Sequence, residues 1–296
     1  MDKILRWIAF GLSAFLIGFF AWYSQHYPSL KLNSSLNSLN REKAASAKNE
    51  TLEAPELKAQ AALVGEIATG KILYEKNPRL HIFPASLVKL MSAMIVLDNL
   101  DIDKTEVYVS EKAVATEGNS GYLVPGEIFK ASDLLKMALI MSSNDAIVAL
   151  AEKIGLNKFV GLMNQKALEI GLSETGFFDP VGFDDTGNFS TASDLFKMSQ
   201  YLYLHYPILS ELTRADNFNV YSLNYYKPHL IVTTNKLKDK IDGLWLAKTG
   251  YTPDGQECLL MIYPLKGKMI ASIVVASSDR FGDSWKLYQW LKNNIK

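Results

Sequence analysis

The chain has 296 residues, of which 48% are hydrophobic and 21% charged, an ordinary composition for one large globular domain or two small ones. Lysine plus arginine and aspartate plus glutamate both total 31, so the formal net charge is zero. This balance excludes a broad electrostatic attraction to nucleic acid or to anionic lipid. The single cysteine, Cys258, excludes an intramolecular disulfide. Any charged substrate must therefore be recognised locally.

Residues 1–23 have the pattern of a membrane anchor. Lys3 and Arg6 precede an uncharged run over 7–23, and a spanning helix needs roughly 17 to 25 mostly apolar residues. A cleaved signal peptide is the alternative, but the run is long for one and no small-residue cleavage motif follows it. We therefore predict one N-terminal transmembrane helix that is not cleaved, with its positive flank in the cytoplasm and the rest of the chain outside.

Residues 24–55 are rich in Ser, Asn, Lys, Ala and Glu and show no sustained period, which predicts a flexible stalk. A short amphipathic helix around residues 30–39 is the alternative. We expect the remaining residues, 56–296, to form a single domain without internal repeats.

The predicted elements of this domain begin with a hairpin, because the apolar segments AALVGEIA and KILYEK flank a tight turn at Thr69-Gly70. Helical patterns dominate the middle of the chain. In chain order they cover 86–100; 132–141, opened by the capping candidate Ser132; 157–170, closed by Gly171; and 191–206, stopped by Pro207.

Strand patterns return near the end of the chain, in LWLAKTG, ECLLMIYP and MIASIVVA, and an amphipathic helix follows over 283–293. Strands at both ends with helices between them predict an α+β fold. We expect a five-stranded antiparallel sheet built from both termini, covered by helices, with an inserted and mostly helical lobe. A cleft between lobe and sheet is the expected site.

The segment FPASLVK (83–89) contains the first candidate chemistry. Ser86 and Lys89 are three residues apart, so one helical turn places both side chains on one face. The helix macrodipole near an N-terminus and burial both disfavour an ammonium, so a neutral Lys89 can accept the Ser86 proton. An isolated S-x-x-K is far more often a helix cap beside a solvated lysine.

Two more short segments carry hydroxyl, amide and ammonium groups. SSN (142–144) follows an apolar helix, and alone it is typical of a C-terminal cap with polar turn residues. KTG (248–250) ends a strand pattern, where Gly250 would let a substrate backbone approach. Alone this segment is also a weak signal, because a lysine that ends a strand is common.

The three segments gain meaning from their order. S-x-x-K on a helix, S-x-N after a second helix and K-T-G on a late strand are the motif set of penicillin-binding proteins and class A β-lactamases. Over residues 61–290 the chain resembles the serine D-Ala-D-Ala carboxypeptidases, the low-molecular-mass penicillin-binding proteins. Further stretches similar to that family are TGKILYEKN, FPASLVKLMSAMIVLD, VPGE, SSNDAIVALAE, FDPVGFDDTGNFSTASDL and KTGYTPDGQECLL.

The resemblance implies a two-step acyl transfer on peptidoglycan stem peptides that end in D-Ala-D-Ala, with no cofactor and no metal. Ser86 would be the nucleophile, Lys89 the general base and Ser142 the proton relay toward the leaving amine. The backbone N–H groups of Ser86 and Tyr251 would form the oxyanion hole. β-Lactams would be covalent inhibitors, and the protein would work at the outer face of the bacterial cytoplasmic membrane.

The resemblance also implies a set of substrate-binding residues. Asn144 would bind a substrate amide, and Lys248 and Thr249 would bind the terminal carboxylate beside Gly250. Arg280, by its distance to Trp290, matches an arginine that assists carboxylate binding in the family. A surface arginine at a strand-to-helix turn is the alternative for Arg280.

The chain departs from the family pattern at two places. Ser143 stands where glycine is frequent, which affects local geometry but not the catalytic side chains. The chain also ends soon after KTG, and we therefore expect no C-terminal β domain, with anchoring left to the N-terminal segment.

Other chemistries fit the sequence less well. His26, His81, His205 and His229 could suggest a Ser-His-Asp triad, but no serine lies in G-x-S-x-G, and we interpret His81 as a loop residue. No histidine pair has metal-ligand spacing. A class A β-lactamase would need a deacylating glutamate in the loop after the second motif. The acidic residues of 177–190 are all aspartates: Asp179, Asp184 and Asp185. A DD-endopeptidase that cuts crosslinks is the closest alternative, followed by an inactive peptidoglycan-binding module.

Overall fold

The computed structural model describes residues 53–185, 187–214 and 217–295. All of the features below belong to one compact unit, Ala54–Lys296. Within the described ranges, no helix is both long enough and apolar enough to cross a membrane. The anchor predicted over 1–23 and nearly all of the predicted stalk lie outside these residues.

The strands are, in chain order, β1 Ala61–Glu66, β2 Ile72–Lys76, β3 Glu106–Tyr108, β4 Ile128–Lys130, β5 Phe218–Tyr221, β6 Pro228–Ile231, β7 Leu246–Thr252, β8 Gln256–Leu265 and β9 Lys268–Ser277. The α-helices are α1 Val88–Asn99, α2 Glu111–Val114, α3 Ala131–Ile140, α4 Asn144–Ile154, α5 Leu156–Ile170, α6 Ala192–His205, α7 Ile208–Arg214 and α8 Arg280–Asn294. Short 3-10 turns cover Ala85–Leu87 and Lys238–Lys240.

Five strands form one antiparallel sheet in the order β2-β1-β9-β8-β7. The predicted sheet built from both ends of the domain is therefore confirmed. The centre of the sheet joins the two ends directly, since Ala61 in β1 lies opposite Val275 in β9. The β8–β9 turn has positive φ angles at Lys266 and Gly267, the backbone twist that two-residue hairpin loops favour.

The central strands β1, β9 and β8 are buried on both faces of the sheet, and their side chains alternate between two apolar layers. In β8, Leu259 and Met261 belong to the layer under α8, whereas Leu260 and Ile262 belong to the larger core shared with the lobe. Because successive side chains of a strand point to opposite faces, one strand contributes to both layers. The edge strand β7 is thereby fixed in place, because it pairs along its length with the buried strand β8.

The lobe between β2 and β7 is mostly helical, as predicted, and also contains two small sheets, β3–β4 and β5–β6. The sequence patterns missed α4, whose N-cap is Ser143, with a side chain that accepts the Ala146 N–H. The prediction that Ser132 caps its helix was wrong. Ser132 lies inside α3, which begins at Ala131, and the N-cap is Lys130, which makes no side-chain capping bond.

Candidate active site

A cavity of about 360 Å³ lies in the cleft between lobe and sheet. The lobe contributes Ser86, Ser142 and Asn144, and the sheet side contributes Thr249, Gly250, Tyr251 and Arg280. Lys89 and Lys248 are buried behind this lining and reach the hydroxyls that form it. All nine residues predicted for the site are therefore brought together, although they come from four separate segments of the chain.

Ser86 lies in the 3-10 turn Ala85–Leu87, two residues before α1 begins, and not within the predicted α-helix. The three-residue spacing still aligns the pair, and Lys89 Nζ lies 2.8 Å from Ser86 Oγ. A second bond, 3.0 Å from Lys89 Nζ to the Val181 carbonyl oxygen, fixes the amine. The lysine is thus held by one carbonyl and aimed at one hydroxyl.

The turn that carries Ser86 is conformationally unusual. Ala85 has a φ of 49°, in the left-handed region that few non-glycine residues adopt. Gly182 packs directly on this turn, and a Cβ at position 182 would lie 2.0 Å from the Ala85 carbonyl oxygen. Only glycine fits there, so the Val181–Gly182 segment both supports the nucleophile turn and holds the lysine.

Burial of Lys89 lowers its pKa to about 7, because the charged ammonium loses its solvation. The carboxylates of Asp179 and Asp145 act in the opposite direction and partly favour the charged form. A pKa near neutrality leaves a substantial fraction of Lys89 as free amine. Lys89 therefore has the protonation behaviour that a general base requires.

Ser142 and Lys248 form a second hydroxyl–lysine pair, with Lys248 Nζ 2.7 Å from Ser142 Oγ. Ser142 has a φ of 64° and connects α3 to α4. A left-handed residue directly after the C-cap Met141 is a usual way to end a helix, so Ser142 ends α3 as in the alternative interpretation and also lines the cavity. Lys248 also donates to the carbonyl oxygen of its neighbour Thr249, at 2.7 Å. Its pKa is well below the usual value because of burial first and the nearby charges of Lys89 and Arg280 second.

Asn144 is the first residue of α4, and its amide is fixed from one side only. Its Nδ2 donates to the Glu117 carbonyl oxygen, and its backbone N–H donates to the Asn119 carbonyl oxygen at 2.7 Å. Its Oδ1 is buried without a hydrogen-bond partner in the described structure. An unused acceptor in the cavity wall is suited to a substrate N–H, because an unpaired buried acceptor costs free energy.

On the sheet side, the Thr249 hydroxyl lies 2.6 Å from the hydroxyl of Thr234, which also lines the cavity. Arg280 begins α8, is more than half buried, and donates from Nη1 to the Gly250 carbonyl oxygen at 2.7 Å. It therefore lines the site and is not the surface arginine of the alternative interpretation. Thr234 was missed by sequence reasoning, since nothing in its neighbourhood separates it from an ordinary loop threonine.

Gly250 is where β7 comes closest to the nucleophile. A Cβ at this position would lie 3.1 Å from the Ser86 backbone nitrogen and 3.2 Å from the Pro84 carbonyl oxygen. The close approach places the next residue, Tyr251, beside Ser86 at the cavity rim, with its side chain 64% exposed. Ser86 and Tyr251, whose backbone N–H groups are predicted to form an oxyanion hole, thus line the same cavity.

Asp179 is a structural residue of the site that the sequence patterns did not single out. Its carboxylate accepts the backbone N–H groups of Val181 and Gly182, both at 2.6 Å, and thereby shapes the segment that contacts the nucleophile turn. The signal was present, because an aspartate followed by Pro-Val-Gly is typical of a side-chain-closed turn.

The groups considered for other chemistries lie elsewhere. His81 is largely exposed and pairs with Glu174 at 3.8 Å. Cys258 is buried in β8, as expected for a small apolar residue, and burial raises its pKa to about 12. Within the described part of the chain, no group of three His, Cys, Asp or Glu side chains is placed to hold a metal ion.

Comparison with known proteins places this geometry in a family. A family model described as D-alanyl-D-alanine carboxypeptidase, peptidase family S11, matches residues 48–279. The D-alanyl-D-alanine carboxypeptidase DacF of Bacillus subtilis is 36% identical over 240 residues, which are 78% of this chain and 61% of DacF. A D-alanyl-D-alanine endopeptidase of Escherichia coli is 31% identical over 263 residues, which are 84% of this chain and 82% of the relative.

The solved structure of the Streptomyces K15 DD-transpeptidase superposes with a TM-score of 0.75 at 25% identity and covers 80% of this chain and 98% of that one. A D-alanyl-D-alanine carboxypeptidase of Mycobacterium tuberculosis gives a TM-score of 0.74 at 26% identity, with 80% and 92% covered. The chain spans less than two thirds of DacF but most of these two solved chains. From its matched residues and its fold, the chain belongs to the D-alanyl-D-alanine carboxypeptidase family, peptidase family S11.

Proposed function

We propose that this protein is a serine-type D-alanyl-D-alanine carboxypeptidase that removes the terminal D-Ala from peptidoglycan stem peptides. The observation that carries the proposal is the 2.8 Å contact between Ser86 Oγ and Lys89 Nζ, together with a lysine pKa of about 7. This pair supplies an activated nucleophile without a histidine or a metal. The comparisons support the same chemistry, since the relatives are named for it.

In the first step, neutral Lys89 takes the proton of Ser86, and Ser86 Oγ attacks the carbonyl carbon between the two D-Ala residues. The carbonyl oxygen becomes an oxyanion that accepts the backbone N–H groups of Ser86 and Tyr251. Donors fixed before the reaction need no reorganisation when the charge develops, so they lower the barrier.

The intermediate then collapses as the C–N bond breaks. Ser142 delivers a proton to the leaving amine and takes up the proton that Lys89 removed from Ser86, so Lys89 returns to its neutral form. Lys248, whose Nζ is 2.7 Å from Ser142 Oγ, orients this relay. D-Ala departs and leaves an ester on Ser86. Water activated by Lys89 hydrolyses this ester in the second step and restores the free hydroxyl.

Specificity for a terminal residue comes from the side of the cavity formed by Thr249 and Arg280. The Thr249 hydroxyl, the buried ammonium of Lys248 and the guanidinium of Arg280 offer hydrogen bonds and positive charge to a free carboxylate. Arg280 Nε, which is buried without a partner in the described structure, adds an unused donor.

β-Lactams present the same acyl group and carboxylate, and we propose that they acylate Ser86. The loop after the second motif contains Asp179, which is committed to backbone N–H groups, and Asp184, which accepts from the Thr252 hydroxyl at 2.6 Å. Neither carboxylate is free to activate a deacylating water in the manner of a class A β-lactamase. The β-lactam ester is therefore expected to be long-lived.

The second candidate is a D-alanyl-D-alanine endopeptidase that cuts peptidoglycan crosslinks. Two relatives at 31% identity carry that name, one from Pseudomonas aeruginosa and one from Escherichia coli. The same Ser86 and Lys89 would serve it, with the leaving group a crosslinked D-amino acid in place of D-Ala. Mass spectrometry of the products from a pentapeptide and from crosslinked muropeptide dimers separates the two activities.

We also propose that residues 1–23 anchor the protein in the bacterial cytoplasmic membrane, with the catalytic domain outside. The uncharged run over 7–23 and its positive flank support this proposal. The full-length protein should sediment with membranes, whereas a chain that starts at Glu56 should be soluble and active. Recovery of a shortened soluble form from cells expressing the full gene would overturn the anchor.

The direct test of the function is Ser86→Ala, which should abolish both labelling by a fluorescent penicillin and D-Ala release, because both need the hydroxyl. Ser210→Ala is a matched control, since the Ser210 hydroxyl donates to the nearby Pro207 carbonyl oxygen and does not line the cavity. Labelling that persists in Ser86→Ala but not in heat-denatured protein would disprove the assignment of the nucleophile.

A further inference from the structure

A buried histidine lies outside the catalytic cavity, in the β5–β6 hairpin of the lobe. His229 in β6 is 4% exposed, and both of its ring nitrogens face oxygen atoms. Nδ1 lies 3.0 Å from the Gly121 carbonyl oxygen, and Nε2 lies 2.9 Å from Glu127 Oε1. Glu127 itself is fully buried, and the edge of the Phe129 ring packs against the imidazole.

The chemistry of these partners determines where the protons are. A carbonyl oxygen only accepts, so Nδ1 must carry a proton and donate it to Gly121. One further proton lies between Nε2 and the Glu127 carboxyl group, whose other oxygen accepts the Val124 N–H at 2.7 Å. Each of the two hydrogen bonds of His229 then has one donor and one acceptor, and His229 and Glu127 together carry no net charge. Two ionisable groups can be buried at low cost only in this way.

The bond to Gly121 links this pair to the second catalytic motif. Gly121 N–H donates to the Asp145 carboxylate, at 2.8 and 3.0 Å to its two oxygens. The same carboxylate accepts from the hydroxyls of Ser120 and Ser143. One residue, Gly121, thus joins the histidine through its carbonyl oxygen to the first turn of α4 through its N–H.

The loop 117–127 that contains Gly121 also forms part of the cavity wall. Its Glu117, Gly118 and Asn119 line the cavity, and its carbonyl oxygens hold Asn144. The loop has no regular secondary structure over 117–124, and its tip, Tyr122, is 79% exposed with a φ of 56°. Its position is therefore fixed by bonds to neighbouring segments. These are backbone bonds to Val109 and Asn144 and the side-chain bonds made by His229 and Asp145.

We propose that His229, charge-balanced by Glu127, is a positioning residue for catalysis: it holds the loop 117–127 through Gly121 and so keeps Asn144 and the cavity wall in their reactive arrangement. His229 does not touch the substrate. Its effect passes through the backbone of Gly121, through Asp145 and through the carbonyl oxygens that orient the Asn144 amide. The inference rests on the proposed acyl-transfer function of the site.

The two ring nitrogens can be separated by substitution. Asn at position 229 places an amide nitrogen near the Nδ1 site and can keep the bond to Gly121, whereas Gln places it near the Nε2 site and keeps only the bond to Glu127. We expect His229→Gln to lower the second-order rate of acylation by a fluorescent penicillin by about tenfold, because a buried carbonyl oxygen left without its donor has that order of effect. His229→Asn, combined with Glu127→Gln to remove the unpaired charge, should recover most of the rate.

The control variant is His205→Gln. The imidazole of His205 is exposed on α6 and packs on Tyr201, so this variant should be acylated at the wild-type rate. Thermal unfolding of each variant is measured in parallel. A purely structural role would make the acylation rates follow the melting temperatures. The proposal is overturned if His229→Gln acylates at the wild-type rate, or if the Asn–Gln double variant is as slow as His229→Gln while being equally folded.

Because acylation by penicillin reports on Ser86 whatever the natural substrate, this result is independent of which peptide bond the enzyme cuts. Failure of the proposed function would instead appear as a wild-type protein that binds no penicillin and releases no D-Ala. A proton NMR spectrum adds a direct readout, since an imidazole N–H held by Gly121 should give a slowly exchanging downfield signal that is absent in His229→Gln.

Discussion

The site contains two serine–lysine pairs of almost the same geometry. Lys89 Nζ is 2.8 Å from Ser86 Oγ, and Lys248 Nζ is 2.7 Å from Ser142 Oγ. Both lysines are fully buried, and burial is the main cause that lowers the pKa of each. Distance and burial alone would assign both pairs the same role.

The surrounding charges make the pairs different. The carboxylates of Asp179 and Asp145 support the charged form of Lys89 and leave its pKa at about 7. Lys248 has cations as its neighbours, Lys89 and Arg280, which lower its pKa further. Lys89 can therefore exchange a proton near neutrality by itself, whereas Lys248 gains its charge most readily when an anion, such as a substrate carboxylate, enters the cavity.

The largest expected effect is on the first pair. Lys89→Met should lower the rate of Ser86 acylation by about 10² to 10⁴-fold, the usual contribution of a positioned general base. Acylation by a fluorescent penicillin in stopped flow measures it. Lys104→Met, which removes an exposed lysine paired only with Asp101, is the control. A rate within a factor of about three of wild type in Lys89→Met would require another base.

The effect of removing the second lysine, Lys248, on the acylation rate should be smaller and should depend on the substrate. Lys248→Met should slow acylation by a carboxylate-bearing peptide by about 10- to 100-fold, the range of a charge-assisted hydrogen bond. The same peptide with a C-terminal amide should be slowed much less, because it brings no charge for Lys248 to meet. The control is Lys236→Met, because Lys236 is a cation that lies over the Phe281 ring. Equal losses on the two peptides would mean that Lys248 serves only Ser142.

The pH dependence of acylation reports on the difference between the lysines. Neutral Lys89 is the active form, so the rate should rise by about tenfold per pH unit below its pKa and level off above about 7. A single transition is expected with a substrate that lacks a carboxylate. A rate that is flat from about pH 5 to 8 would contradict the role of Lys89 as the base.

The smallest effect is on stability. The pKa of Lys89 is about 7 in the folded chain and near 10.5 in the unfolded one, so the unfolded chain binds more protons between these values. The free energy of unfolding therefore rises with pH across this window, and burial of Lys89 costs stability below it. Lys89→Met should stabilise the fold at neutral pH by on the order of 1 kcal/mol or more and reduce that slope. Urea unfolding at several pH values measures both; an unchanged slope would show that Lys248 alone produces it.

The sheet was predictable because its strands carry dense apolar patterns at both ends of the domain and short turns between them. The small strands β3 to β6 were not, since segments of three or four residues show too little period to stand out. Helix α4 was missed because its capping serine lies inside a motif that was interpreted for its chemistry. The 3-10 turn at Ser86 was predicted as α-helix, because local patterns do not distinguish the two.

By itself the sequence indicated the Ser86–Lys89 pair, because a spacing of three residues at a helix start brings two side chains to one face. The burial that lowers the pKa of Lys89 came from the tertiary structure. The sequence also supplied the three motifs whose order indicates the family. Only the tertiary structure decided that Lys248 meets Ser142, 106 residues away, and that Arg280 lines the cavity. The same holds for the link from His229 through Gly121 to Asp145, since contacts between distant segments depend on how the lobe packs and leave no local pattern in the chain.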